Sequence, residues 1–403
     1  MGIFVQNIPL NFYSEYYMNT VSRFIRIIAS ALLVVSSGFL MSYCADTTRS
    51  DGAPLEGKVN LKVETAVAGL KSPWAMAFLP NGNMLVTERG GQLRLVENGV
   101  LNPEPIKGLP EIVSRGQGGL LDVTLHPDYA KNGWVYFSYS SPAKDGEEGI
   151  GANTGFMRAK LKGLELTDQQ LLFKGKPNVE TNHHFGGRIV FDKKGFMYLT
   201  IGDRGGQDEA QKLTNHRGKV MRLNDDGSVP KDNPFASQAG AMPEIFSYGH
   251  RNPQGLVLNP ETGDMWEHEH GPQGGDEVNL IQKGNNYGWP VITFGIGYDN
   301  SIISADTAKA GMEQPVLYYK PSIAPCGMTF LSSKSAFKDW QGNLLVGSLK
   351  FNYLKRCIIK NNKLVSQETI LENIGRVRDV REGPDGNIYV VVENGKILRV
   401  SPQ

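Results

Sequence analysis

Two stretches near the middle of the chain pair residue types that do chemistry together. In the first, Ser247 to Leu256, Arg251 and Asn252 stand side by side in a turn; in the second, Glu269-His270-Gly271-Pro272 is followed closely by Asp276 and Glu277. A guanidinium fork grips a carboxylate through two parallel hydrogen bonds, so Arg251 suits an anionic ligand. A Gly-Pro turn among carboxylates offers the oxygen donors that a hard cation such as calcium takes. An anionic cofactor bridged to the protein by calcium would explain both stretches. His268 and His270 flank Glu269 like a metal tripod, but adjacent strand residues point to opposite faces, so these three do not converge on an unbroken strand. The carbonyls of Gly271 and Pro272 are the better cation ligands.

Further candidates lie on either side. The segment Asn182-His183-His184-Phe185-Gly186-Gly187-Arg188 runs into a strand, and Ile201-Gly202-Asp203 ends the next one. An imidazole accepts a proton near neutral pH, so a histidine here suits a general base, and an aspartate bonded to its second nitrogen would orient it. Taken alone, each motif also reads as loop chemistry: a histidine held by backbone, and an Asp-x-Gly tight turn. Arg376 and Arg378 alternate on a strand and share a face. Lys350 ends the apolar run from Leu344. With Arg251 these give four cations at strand ends, a cradle for a polyanion if the fold brings them to one mouth.

The elements that would do so form a degenerate repeat. Each unit is an apolar strand, a Pro/Asn/Asp/Gly turn and a second apolar strand, as in Ala75 to Val86, Leu121 to Ser138, Arg188 to Leu199, Gly255 to Trp266, Gly327 to Val346 and Asp379 to Val390. Asn-Gly and Asp-Gly turns between alternating apolar runs signal hairpins. Six such units predict an all-β fold, a six-bladed β-propeller. The irregular spacing predicts long inter-strand loops over the cofactor end, at 139–185 and 204–243. One domain, 58–403, follows a segment 1–57 that is set apart by composition.

That first segment reads as an export signal and polar linker. Arg23 and Arg26 precede a short apolar run, Ile27 to Met41, and a polar stretch follows. A basic start, a short apolar centre and a polar exit describe a secretory signal, too short for a membrane span. The expected location is the periplasm. Cys44 offers a lipid anchor there, the one predicted route to a membrane, although the bulky Tyr43 precedes it; a soluble periplasmic protein is the alternative. Formal net charge is +1 and no long Lys/Arg run occurs, which argues against nucleic acid as a partner. An oxidising compartment would let Cys326 and Cys357 pair, with free buried thiols as the other reading.

Taken together, the motifs resemble the soluble quinoprotein glucose dehydrogenases and their relatives, the bacterial aldose sugar dehydrogenases. The likeness runs from about residue 66 to 401. It is carried by Gly116 to Leu121, His184-x-x-x-Arg188, Ile201 to Asp203, Gly249 to Leu256, Gly271-Pro272 through Glu277, Asn285 to Pro290, Leu344 to Lys350 and Arg376-x-Arg378-Asp379, in the family's order.

The resemblance implies a propeller that binds pyrroloquinoline quinone (PQQ) and Ca2+ at one end of its channel and oxidises aldose sugars at C1 to lactones. It implies His184 as general base, Asp203 as its orienting carboxylate, and Arg251, Asn252, Lys350, Arg376 and Arg378 around the cofactor's carboxylates and quinone oxygens. Gln117 would contact sugar and cofactor. Gly271 and Pro272 would ligate the bridging calcium, while Glu277 and Tyr287 match a second, structural calcium site. Electrons would leave to an external acceptor such as a cytochrome or quinone; no Cys-x-x-Cys-His haem motif occurs in this chain. Tyr319-Lys320-Pro321 stands where the glucose enzymes carry an aromatic platform, and this leans toward the aldose sugar branch. Two other readings remain open on the residues alone. One is a calcium-dependent lactonase, which needs a carboxylate cage in the channel. The other is a binding propeller without catalysis.

Overall fold

The computed structural model describes residues 59–403. The export segment, Cys44 and the expected boundary between 57 and 58 therefore lie outside the described residues. Six four-stranded antiparallel sheets make up the described chain. Their inner strands are Pro73–Phe78, Leu120–Leu125, Ile189–Phe191, Pro253–Leu258, Pro325–Phe330 and Val377–Glu382. Each packs against the next and the last against the first, so the sheets close into a ring of blades around a channel. This is the expected six-bladed propeller.

Burial explains which residues form which strand. The second strand of a blade lies between two neighbouring blades and is covered on both faces. Met84–Glu88, Met197–Ile201, Met265–Glu269, Leu344–Ser348 and Ile388–Val392 are buried at every residue. Four of these five strands are accordingly mostly apolar rather than alternating, while Met265–Glu269 buries Glu267, His268 and Glu269. Blade six takes three strands from the C-terminus and its outer strand, Leu61–Val67, from the start of the described chain. Leu61 faces Pro402 and Val67 faces Ile397 in that pairing, which fastens the ring.

One expectation needs correction. The stretch 139–185 is not a long loop: it holds the end of Trp134–Pro142 and the whole of Ala152–Lys162 and Glu165–Lys174, the outer strands of blade two. Glu165–Lys174 carries Thr167-Asp-Gln-Gln170 because its outward side is wet. A polar strand at a sheet edge has no apolar periodicity to announce it. The stretch 204–243 is loop apart from a short 3-10 turn at Gln207–Gln211 and the strand Lys219–Leu223. Cys326 and Cys357 are buried free thiols.

The inner strands share a further device. Five of the six slip register against their neighbour near their first residues, at Pro73/Ala75, Leu120/Val123, Pro253/Gly255, Pro325/Met328 and Val377/Asp379. A bulge re-aims the extra side chain and bends the strand. Trp74, Leu121, Gln254 and Arg378 sit in these bulges, and all four line one cavity at that end of the channel.

Candidate active site

Ion pairs between inner strands plug the channel beneath this cavity. Arg188, buried, reaches Asp379 at 3.0 Å and Asp122 at 3.6 Å, donates to the Gln254 and Arg378 carbonyls at 2.8 and 2.9 Å, and lies over Trp74 at 4.1 Å. Arg381 bridges the same two carboxylates at 2.9 and 3.0 Å. Two arginines thus neutralise two aspartates that come from different blades. The carboxylates a lactonase would need in the channel are present, but they are spent on these arginines.

Above the plug is a cavity of about 370 Å³, within the range of small-molecule sites. Trp74, Leu121 and Phe185 give it apolar wall, while Gln117, Gln254, Arg376, Arg378 and Glu393 give it polar wall. A second cavity of about 490 Å³ is lined by Gly271, Pro272, Tyr298, Ser322 and Lys350. A third, of about 10 Å³, has room for a single water or ion between Arg251, Glu269, Gly271, Glu277, Tyr287 and Trp289. His270 lines all three, so they adjoin. The expected cations therefore do gather at one mouth, divided among neighbouring compartments.

The histidine and aspartate meet as expected. His184 Nδ1 lies 2.6 Å from Asp203 Oδ1, which also accepts the Gly205 N–H at 2.8 Å. Gly202 lets the strand end pass this close, because a Cβ there would stand 2.3 Å from the His184 carbonyl oxygen. His184 itself is held at φ 56°, a strained conformation for a side-chain-bearing residue and one that clusters at functional sites. Its backbone N–H donates to Gln117 Oε1 at 2.8 Å, tying the residue to the wall of the cavity that Arg376 and Arg378 line. Burial pulls the His184 pKa below its usual value, against the opposing pull of Asp203. Burial pushes Asp203 up, but the bonds from His184 and Gly205 and the charge of Arg251 outweigh it and hold Asp203 below the usual range. Both directions favour one state: a carboxylate facing a neutral imidazole. A proton on Nδ1, assigned by that bond, leaves the Nε2 lone pair free to act as a base.

The cation cradle is partly committed. Arg376 precedes the strand Val377–Glu382 and Arg378 sits in its bulge, so the two do not alternate on a regular strand, yet Arg376 Nε and Arg378 Nη2 both bind Glu393, at 2.5 and 3.0 Å. Burial raises Glu393, yet the two arginines hold it below the usual carboxylate value. Lys350 Nζ makes no ion pair among the described residues and rests 5.2 Å from the Phe351 ring. Arg251 donates Nη1 to the His270 and Gly271 carbonyls at 2.9 and 2.7 Å, while its Nε is buried without a partner. A buried guanidinium without a carboxylate, beside an unpaired lysine, fits an anionic ligand. Asn252 stands one layer back, where its Oδ1 accepts Gly186 N–H at 3.3 Å and Gln254 Nε2 at 3.2 Å.

Oxygen donors for a cation are also present. Asp276 accepts N–H bonds from Gly271, Ile323 and Ala324, and so shapes the turn that carries the Gly271 and Pro272 carbonyls. Each of these carbonyls already accepts one donor, Arg251 Nη1 and Ser322 Oγ respectively, and a carbonyl oxygen has a second lone pair. Around the smallest cavity, burial and the neighbouring Glu269 push Glu277 well above the usual carboxylate value. Glu267, deeper still, is pushed up for the same reasons. Such crowding of carboxylates is what a bound cation would relieve. The Tyr287 phenol is committed to Leu280 O and Gln282 N–H, so Tyr287 could ligate only through its carbonyl. The His268 and His270 rings bond the carbonyls of Gly327 and Pro325, which agrees with their exclusion as a metal tripod.

With this geometry in hand, comparison with known proteins is decisive for the family. The sequence profile of the Glucose / Sorbosone dehydrogenase family matches residues 70–399. The chain belongs to that family. It is 43% identical to the aldose sugar dehydrogenase YliI of Escherichia coli (strain K12) over 349 residues, 85% of this chain and 93% of that one. It is 29% identical to quinoprotein glucose dehydrogenase B of Acinetobacter calcoaceticus, over 83% of this chain and 85% of that one. Among solved structures, the apo form of the soluble aldose sugar dehydrogenase of Escherichia coli aligns with a TM-score of 0.81 at 42% identity, over 85% of this chain and 100% of that one. The PQQ-bound aldose sugar dehydrogenase of Streptomyces coelicolor aligns with a TM-score of 0.71 at 26% identity, over 86% of this chain and 100% of that one.

Sequence reasoning missed several wall residues of this family member. Trp74 reads as an ordinary strand residue, because a bulge leaves no local signal, and Leu121, Phe185 and Gln254 lie within the motifs without a role of their own. Glu393 reads as part of the Asn394-Gly395 hairpin turn. Tyr298, 75% exposed, lines the cavity beside Lys350 from a loop with no repeat pattern.

Proposed function

We propose that this protein oxidises aldose sugars at C1 to lactones with PQQ and calcium. The single observation that carries the reading is His184, paired through Nδ1 with Asp203, beside a cavity whose wall carries Arg376 and Arg378. When bound, PQQ would supply the hydride acceptor and calcium the positive charge beside it. His184 Nε2 takes the proton of the C1 hydroxyl, and Asp203 stabilises the imidazolium that results. Arg376 and Arg378 would hold the cofactor's carboxylates, while Lys350 and Arg251 would add positive charge that stabilises negative charge as it develops. Gln117 holds the His184 backbone and is placed to meet the sugar. The carbonyls of Gly271 and Pro272 would hold the cofactor's calcium, and Glu277 with the Tyr287 carbonyl would hold a second ion. Residues 1–57 would export the chain to the periplasm, where an external acceptor takes the electrons.

Dye reduction by purified protein in D-glucose and other aldoses tests this, with and without added PQQ and calcium. Activity that needs both additions supports it. PQQ binding without oxidation of any aldose would refute the substrate class, and no PQQ binding would refute the cofactor.

A further inference from the structure

We propose that Trp289 is a positioning residue for this reaction: its indole N–H locks the Asp203 carboxylate that orients His184. The inference rests on His184 being the base. Asp203 is fully buried, and each of its oxygens is held. Oδ1 takes His184 Nδ1 and the Gly205 N–H, while Oδ2 takes Trp289 Nε1 at 2.8 Å. The backbone of Asp203 is fixed as well, its N–H donating to Arg251 O at 2.7 Å. With both oxygens held, the carboxylate cannot rotate, and the imidazole plane follows it.

Trp289 is itself built in. Its backbone N–H donates to Gly249 O at 2.9 Å, its carbonyl accepts Gln211 Nε2 at 2.8 Å, and it is 5% exposed. The Arg251 guanidinium carbon lies 5.2 Å from the ring centroid. The indole therefore ties the dyad to the ligand-facing arginine and to the wall of the ion-sized cavity. A packing role alone would leave the N–H without a target. Here it finds the one buried carboxylate bonded to His184.

The bond should also tune basicity. Asp203, Arg251, His183 and His270 are the charged or titratable groups that act on the His184 ring. A donor on Oδ2 draws charge away from Oδ1, which weakens the carboxylate's hold on an imidazolium. Removing it would make Asp203 a stronger partner for protonated His184 and raise the His184 pKa. It would also free the ring to leave its productive orientation, which lowers the rate.

The test is Trp289→Phe, which keeps the ring and removes the N–H. His184 is titrated by NMR on 15N-histidine-labelled, full-length protein before cofactor is added. We expect its midpoint to rise by roughly half to one pH unit, the size of one lost bond to a charged group partly transmitted. With PQQ and calcium added, the acid limb of kcat/KM should shift with it, kcat should fall about ten-fold, and PQQ affinity should hold within about two-fold. An unshifted midpoint overturns the proposal, whether or not the rate falls. Should the variant not fold, wild type decides: the Trp289 indole proton must shift with the His184 midpoint, and an indole signal that ignores the titration overturns the proposal too. The titration needs no sugar oxidation. A wild type that binds PQQ and oxidises no aldose would therefore sink the functional reading while leaving the Trp289 result legible.

Discussion

Arg188→Met should destabilise the propeller by about 3–5 kcal/mol, the cost of removing one partner from a buried charge network. The substitution keeps length and apolar packing but removes the charge that meets Asp379 at 3.0 Å and Asp122 at 3.6 Å. Both carboxylates are essentially unexposed, and beside backbone N–H donors each keeps only Arg381 as a cation. Two acids would then share one cation. Burial already pushes Asp122 above the usual carboxylate value, so Asp122 is the group that would take up a proton to relieve the excess. The lost contact over Trp74 adds about 1 kcal/mol, which methionine partly replaces. Urea denaturation followed by tryptophan fluorescence reads the difference. Adding Asp122→Asn to the variant should recover about 1–2 kcal/mol, because it removes the surplus charge. The site should suffer as well: Arg188 holds the carbonyls of Gln254 and Arg378, two bulge residues on the cavity wall. Affinity for PQQ should fall about ten-fold through this loosening. A loss of stability under about 1 kcal/mol would refute the reasoning, as would a double variant destabilised by the full sum of the single ones.

Three other outcomes follow from the site. Arg378→Ala should weaken PQQ binding about a hundred-fold and Arg376→Ala about ten-fold, measured by calorimetry, since the Arg378 side chain is 11% exposed and that of Arg376 is 53% exposed. Glu393→Gln removes the one carboxylate on the wall of that cavity and should tighten PQQ binding several-fold, with a steeper salt dependence; weaker binding would mean that Glu393 serves mainly to orient the arginines. Burial lowers His268 to about 3, so this ring is neutral in the fold and titrates near the usual value when unfolded. Its contribution is intact above about pH 6.5 and is lost as pH falls, by about 2 kcal/mol at about pH 5; His268→Gln should remove that part of the acid sensitivity in urea titrations at the two pH values.

The blades were legible because each carries a Gly or Asn turn between apolar runs, and most of the fully buried second strands read as apolar stretches, Met265–Glu269 with its buried charges being the exception. Glu165–Lys174 was not, because an outer strand facing water has no reason to alternate. The closing strand Leu61–Val67 was also invisible, since its partner Lys396–Pro402 lies at the other end of the chain. At the site, the charged groups announced themselves by type: Arg251, Lys350, Arg376 and Arg378 do gather at one mouth. Their division among three compartments depends on where the backbone bulges, and no residue type dictates a bulge at Trp74 or Gln254. The Asp203–Trp289 bond joins residues 86 positions apart, and Glu393 reaches back 15 and 17 positions to its arginines. Contacts of that span come from the closed ring, not from local sequence.

The central claim is that hydrogen leaves C1 of an aldose while His184 takes the hydroxyl proton. The most direct measurement gives D-glucose deuterated at C1 to protein loaded with PQQ and calcium, with His184→Ala in parallel, and follows the label in the product by NMR. The expected result is a product oxidised at C1 that has lost the deuterium, and no such product from the variant at neutral pH. Deuterium retained at C1 of an oxidised product, or equal turnover by the variant, would contradict it.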